Sequence, residues 1–145
     1  MRLVIQRVKS AKLSVDNKLV SEIGAGLLVF VGVCDGDTEE TVNKAVDKVA
    51  NLRIFEQDDK MTLSVMDVKG EILAVSNFTL CTSEGKGHRP YFGESAERSV
   101  ALDLYEKFAG KLDEMGVPTR CGIFGAHMDI NAELDGPVNI YKEIK

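Results

Sequence analysis

Tryptophan is absent, proline occurs three times and histidine twice, and the three cysteines, Cys34, Cys81 and Cys121, share no CxxC spacing. An odd number of scattered thiols argues against a secreted disulfide framework and against a zinc ribbon, so all three are expected as reduced thiols in partly buried strands. His88 and His127, without HExxH or paired-cysteine spacing, give no metal-ligand pattern, and neither a metal nor a cofactor is expected. Long hydrophobic runs are missing as well. The longest, Leu27-Leu28-Val29-Phe30-Val31-Gly32-Val33-Cys34, falls far short of the roughly 18–20 residues of a membrane span. The N-terminus, Met1-Arg2-Leu3-Val4-Ile5-Gln6-Arg7, turns polar early and has no small-residue cleavage site, so a cytoplasmic protein with no membrane partner is expected. Positive charge is scarce. A formal net charge of −5 argues against a general nucleic-acid binder, whose affinity comes from neutralising phosphates, yet it leaves room for a local basic face.

What is present suits one domain, residues 1–145, large enough to bury about two-thirds of its unfolded surface without staples. Two stretches carry helical periodicity. Asp37-Thr38-Glu39-Glu40 resembles a capping box, and Val42, Ala45, Val46, Val49 and Leu52 follow on one face. A second helix is predicted from Ala96, with Ala101, Leu104, Tyr105, Phe108, Leu112 and Met115 on one face, ending at Gly116 and Pro118. Residues 3–8, 12–15, 27–33, 71–80, 118–121, 127–134 and 138–144 read as strands, with turns at Asp16-Asn17-Lys18 and Gly24-Ala25-Gly26. The pattern predicts an α+β fold: a mainly antiparallel, curved or barrel-like sheet with two main helices packed outside.

The Gly136-Pro137 step is an odd feature of this pattern, because proline removes a ladder hydrogen bond in chain that otherwise reads as extended and half-buried. It marks either a tight turn between two strands or a deliberate display of backbone. Three further segments concentrate small, polar or special-backbone residues: Ser76-Asn77-Phe78-Thr79-Leu80, Lys86-Gly87-His88-Arg89-Pro90-Tyr91-Phe92, and Phe124-Gly125-Ala126-His127-Met128. A nucleophile at Ser76, Thr79 or Cys81 would need a base held by a third group, and no GxSxG elbow surrounds Ser76. The glycine-spaced basic stretch 86–89 is either a grip for a phosphate backbone or a solvated loop.

Taken in order and at these separations, Ser76-Asn77-Phe78-Thr79-Leu80, Lys86-Gly87 with Arg89-Pro90, Phe124-Gly125-Ala126 with Met128, and Asp135-Gly136-Pro137-Val138 resemble the D-aminoacyl-tRNA deacylase family. Ile5-Gln6-Arg7-Val8, Gly26-Leu27-Leu28-Val29, and Arg53-Ile54-Phe55 followed by Lys60-Met61 extend the resemblance along the whole chain.

The resemblance implies a homodimeric enzyme that hydrolyses the ester of D-aminoacyl-tRNA, or of mischarged glycyl-tRNA, at the terminal adenosine. It implies a cis Gly136-Pro137 bond inserted into the other subunit's site, where rigid backbone reads the hand of the substrate. It also implies that the RNA 2′-hydroxyl assists while the protein supplies orientation and backbone donors. Ser76, Asn77 and Thr79 are then the catalytic candidates, with Thr79 more a positioning group than a nucleophile. Phe78, Ala126, Met128, Gly136, Pro137 and Val138 would contact substrate, and Arg7, Lys86 and Arg89 would contact tRNA phosphates. A homologue that binds nucleic acid without turnover, and a small-ester hydrolase using Ser76 or Thr79, are the competing readings. The chain departs from the family at Asn77, where glutamine is usual, at Leu134, where asparagine is usual, and at Asn139, where threonine is usual. These departures bear on substrate range and on the bracing of the Gly-Pro step.

Overall fold

A computed structural model describes residues 1–145 except Glu84 and Lys86. Its spine is β1 (Arg2–Val15), a single bent strand where the sequence predicts two. The far half of β1 pairs antiparallel with β2 (Lys18–Ile23), through a two-residue Asp16-Asn17 loop in which both residues have positive φ, the geometry that Asp and Asn tolerate in hairpins. The near half pairs antiparallel with β3 (Gly26–Gly32), so β2 and β3 lie in series along one edge of β1. Along the other edge runs β8 (Asp129–Glu143), also antiparallel. Beyond β3 the sheet continues with β6 (Glu71–Ser76) and β7 (Thr119–Cys121), each parallel to its neighbour. The sheet is therefore mixed, with antiparallel pairing dominant, and curved into a barrel-like form as the sequence predicts.

The two predicted helices are α1 (Glu39–Asn51) and α2 (Arg98–Glu114), packed together on one face of the sheet. Thr38 caps α1, and its partner in the capping box is Thr41. The apolar stripes read from the sequence are the buried ones: Val42, Ala45, Val46 and Val49 from α1 meet Leu104, Tyr105, Phe108 and Leu112 from α2 over Leu3, Ile5, Leu27, Val29 and Val31. The opposite face of the sheet buries Val8, Ala11, Leu13, Ile23, Leu28, Leu73 and Val75. Two-sided burial explains why residues 27–33 read as a continuous apolar run rather than an alternating one. A small hairpin, β4 (Phe55–Gln57) and β5 (Lys60–Leu63), escaped the sequence reading because it is short and mostly polar.

Three expectations are corrected. Residues 127–134 and 138–144 are not two strands joined by a turn but halves of β8, both on β1. In the β1·β8 register Val8 faces Leu134 and Gln6 faces Asn139, so residues 135–138 bulge out opposite Arg7 alone. The Gly136-Pro137 bond within this bulge is cis. Predicted strand 71–80 stops at Ser76, and Phe78–Leu80 forms a 3-10 turn. Finally, Cys34 and Cys81 are disulfide-bonded, leaving Cys121 as the free thiol. They come together because β3 and the 3-10 turn end side by side, a proximity that a separation of 47 residues conceals. No helix is long and apolar enough to cross a membrane among the described residues.

Candidate active site

The end of β6 builds the centre of the site. Ser76 lies in register with Val31 of the parallel β3, and the next backbone N–H, on Asn77, donates to the Val31 carbonyl at 2.8 Å. Asn77 then leaves the strand and caps the 3-10 turn: its Oδ1 accepts from the Thr79 N–H at 3.2 Å and from the Thr79 hydroxyl at 2.5 Å. The turn is closed by Cys81 N–H donating to the Phe78 carbonyl at 2.9 Å, which also accepts from Ser95 Oγ at 3.2 Å. Close approach of this turn to β3 requires glycine at position 32, where a Cβ would stand 2.8 Å from Leu80 Cβ and 3.1 Å from the Asn77 carbonyl. The first N–H of the turn, on Phe78, has no intrahelical acceptor available, as at any helix start.

Across from this turn, the loop after β7 supplies the second wall. Phe124, Gly125, Ala126, His127 and Met128 line the same cleft as Ser76, Asn77, Phe78 and Thr79, and the cleft measures about 590 Å³. Phe78 is largely exposed and meets Phe92 edge-on, with ring centroids 5.3 Å apart. Phe124 tilts against Tyr105 at 6.0 Å on its other side. The phenol of Tyr105 donates to the Ala74 carbonyl at 2.9 Å, and burial pushes its pKa far up. Burial likewise pushes the Cys121 thiol up, which leaves it protonated and unreactive at neutral pH.

The arrangement lacks an activated nucleophile. The Thr79 hydroxyl directs its proton to an amide oxygen, which is no base, and no histidine hydrogen-bonds to Ser76 or Thr79 among the described residues. His127 faces solvent, with Nε2 3.8 Å from the Asp129 carboxylate. Among the described residues no group of three or more His, Cys, Asp or Glu stands together as metal ligands. What the cleft offers is a backbone turn, the hydroxyls of Ser76, Thr79 and Ser95, an amide, the His127 imidazole, the Arg98 guanidinium and apolar walls.

Several predicted contacts fall elsewhere. Val138 is buried in the larger core, so within this chain it is a packing residue and not a cleft wall. Gly136 and Pro137 are exposed on β8 and do not line the cleft of their own chain. Arg7 is corrected outright as a phosphate contact. It is only 6% exposed, and its guanidinium donates to the carbonyls of Ile54 at 2.7 Å and Asp135 at 3.0 Å, beside the carboxylates of Glu56 and Asp135. Arg89 is exposed, and Lys86 lies outside the described residues. Of the departures noted in the sequence, Asn77 is the cap just described, Leu134 is exposed on β8, and Asn139 Oδ1 accepts from Gln6 Nε2 at 2.8 Å. Sequence reasoning missed Arg98, which opens α2 and lines the cleft. Its one signal is a cation in the first turn of a helix, against the macrodipole.

The family profile described as D-Tyr-tRNA(Tyr) deacylase matches residues 4–143. A D-aminoacyl-tRNA deacylase of Aquifex aeolicus is 53% identical over 97% of this chain and 95% of its own length. One of Persephonella marina is 47% identical over 100% and 99%. Among solved structures, that of a c-Myc DNA Unwinding Element Binding Protein superposes with a TM-score of 0.94 at 36% identity, covering 100% of this chain and 99% of that one. A second, of a probable eukaryotic D-amino acid tRNA deacylase, has a TM-score of 0.82 at 23% identity over 99% and 98%, a likeness of fold. With the match running through both walls of the cleft and both halves of β8, this chain belongs to the D-aminoacyl-tRNA deacylase family.

Proposed function

We propose that this protein hydrolyses the ester of D-aminoacyl-tRNA, releasing tRNA and the free D-amino acid, and that it also clears mischarged glycyl-tRNA. The observation that carries the reading is the end-to-end similarity, 53% over 97% of the chain, to a relative of that name. Chemistry compatible with the cleft follows. The terminal adenosine enters between the 3-10 turn and the 124–128 loop, with Phe78, Ala126 and Met128 as walls. Ser76, Asn77 and Thr79 orient the ester, and the Phe78 N–H, which opens the 3-10 turn, serves as donor to the developing oxyanion. An aminoacyl ester is already activated, and the neighbouring ribose 2′-hydroxyl supplies the proton shuttle that the cleft lacks, so orientation and backbone donors suffice.

Chirality is read by a second copy of the chain. Gly136 and Pro137 do not line the cleft of their own subunit, so any contact with substrate has to come from a partner. The outer edge of β8, where Leu134 and Tyr141 are exposed, is the face offered to it. Backbone from the partner accepts the substrate's amino group and leaves no space for an L side chain, while a D side chain projects outward. Arg89, and Lys86 near it in sequence, contact the acceptor end. Charged tRNA places the reaction in the cytoplasm.

A second reading, binding of nucleic acid without turnover, takes its support from the 36% identity to a protein named for binding a DNA unwinding element. Hydrolysis of D-Tyr-tRNA, L-Tyr-tRNA and Gly-tRNA by the purified protein, with and without chelator, decides between them. Loss of the D and glycyl esters with the L ester spared is expected, and stable binding of tRNA with all three esters intact would favour the second reading.

A further inference from the structure

The cleft holds a cationic side chain whose chemistry the reaction as described leaves unused. Arg98, the first residue of α2, lines it together with Ser76, Thr79 and Phe124. Its guanidinium carbon stands 5.4 Å from the centroid of the Phe124 ring, and Nη2 approaches Gly125 so closely that a Cβ there would sit 2.5 Å away. A guanidinium held over an aromatic face by its charge still has N–H groups to offer a ligand.

Charge makes this placement informative. The chain carries 23 acidic residues against 18 basic ones, yet none of the described residues lining the cleft is Asp or Glu. Arg2 and Arg7 are each held by two carboxylates within 4.0 Å, whereas Arg98 meets none among the described residues. Its place in the first turn of a helix is one where the macrodipole opposes a cation, so helix stability does not account for it. A cleft whose described lining has no carboxylate, in an acidic protein and with one guanidinium over the Phe124 ring at its side, suits a ligand that brings its own negative charge.

We propose that Arg98 binds the phosphodiester on the 5′ side of the terminal adenosine, so that the cleft holds the last linkage of the RNA as well as its ester. This inference rests on the deacylase reading for its substrate. A guanidinium fork fits two phosphate oxygens at once, which an ammonium does not. Arg98 thus acts on ground-state binding of the RNA end, while the ester is handled at the 3-10 turn.

The test compares D-Tyr-tRNA with 3′-O-(D-tyrosyl)adenosine, the same ester without phosphate, in the wild type, Arg98→Met and Arg98→Lys. Arg98→Met is expected to lower the ratio of kcat/KM on tRNA to that on the nucleoside about tenfold, through KM, as the loss of one charged contact implies. The salt dependence of kcat/KM on tRNA should become shallower by about 0.7 in log–log slope. Arg98→Lys should restore the salt slope more fully than the ratio. Equal losses on both esters would assign Arg98 to bracing Phe124 and Gly125 and overturn the proposal, as would an unchanged ratio. Binding of the trinucleotide cytidylyl-cytidylyl-adenosine and of adenosine, followed by NMR titration, separates this failure from failure of the deacylase reading. Even if the wild type cleaves neither ester, Arg98→Met must weaken the trinucleotide selectively, and equal binding by the variant and the wild type refutes the phosphate contact.

Discussion

Arg7 faces the Gly136-Pro137 bulge across the β1·β8 ladder and holds it by its backbone: Nε donates to the Asp135 carbonyl at 3.0 Å. The same guanidinium reaches the Ile54 carbonyl at 2.7 Å, which ties the bulge to the chain beyond α1. Four residues standing where one would keep the ladder need their backbone groups satisfied by something other than β1, and a buried arginine with several donors meets that need.

Arg7→Met should therefore cost about 2–4 kcal/mol, since two carbonyls lose charged donors and the neighbouring carboxylates lose their partner. Urea denaturation measures this. In the refolded variant, cleavage of L-Tyr-tRNA relative to D-Tyr-tRNA should rise, because the bulge is the proposed reader of chirality. A variant with wild-type stability and wild-type preference would show that Arg7 does not brace the bulge.

Thr79 gives a sharper chemical prediction. Its hydroxyl is committed to Asn77 and has no base, so Thr79→Val, which keeps the shape, should lower kcat on D-Tyr-tRNA by less than about tenfold. Asn77→Ala should do more harm, about 10–100-fold, because it releases both groups that Asn77 caps and loosens the turn that carries the proposed oxyanion donor. A loss of a thousandfold or more for Thr79→Val in a folded protein would instead make the hydroxyl the nucleophile.

How much of this was legible in the sequence depends on the range of the interaction. Helices α1 and α2 were readable because each buries one stripe, and Val42, Ala45, Val46 and Val49 record it at helical spacing. The 76–79 and 124–128 segments stand out in the sequence as candidates, but only motif resemblance joins them, since no local pattern says that β6 and the loop after β7 end at one cleft. The bend in β1 was invisible: residues 9–11 fall between two predicted strands, whereas the strand continues through register shifts at Gln6/Val8 and Val8/Ser10. Arg7 was misread for a related reason. A charged residue near the N-terminus looks available until Ile54 and Asp135, far along the chain, are found on either side of it.

The Cys34–Cys81 bond was equally hidden, and its weight is calculable. Closing a loop of this length removes unfolded-state entropy worth about 4 kcal/mol. Reductant should therefore shift the urea midpoint downward by the equivalent of about 2–4 kcal/mol, and Cys34→Ser should behave as the reduced protein does. Thiol titration of the denatured, unreduced protein should find Cys121 alone. Three titratable thiols in that experiment would rule the bond out.

Tyr105 predicts the alkaline limb of stability. Burial, its first cause, and then the neighbouring Cys121 raise its pKa in the folded state well above the value of about 10 of an unfolded phenol. The folded protein thus keeps the proton that the unfolded chain releases. The resulting stabilisation is complete below pH 10 and is lost progressively as pH rises above it. Tyr105→Phe should cost about 1 kcal/mol at pH 8 through the lost hydrogen bond to the Ala74 carbonyl. Above pH 10 it should lose stability more slowly than the wild type, by up to about 1.4 kcal/mol per pH unit. Cys121 and Tyr105 shift one another, so both proteins are compared in a Cys121→Ser background, where the difference between their urea midpoints at pH 8, 10 and 11 isolates the phenol. Parallel curves would mean that the phenol ionises in the folded state as freely as in the unfolded chain, and that the cleft's Phe124 wall rests on a less buried support than the packing around Tyr105 indicates.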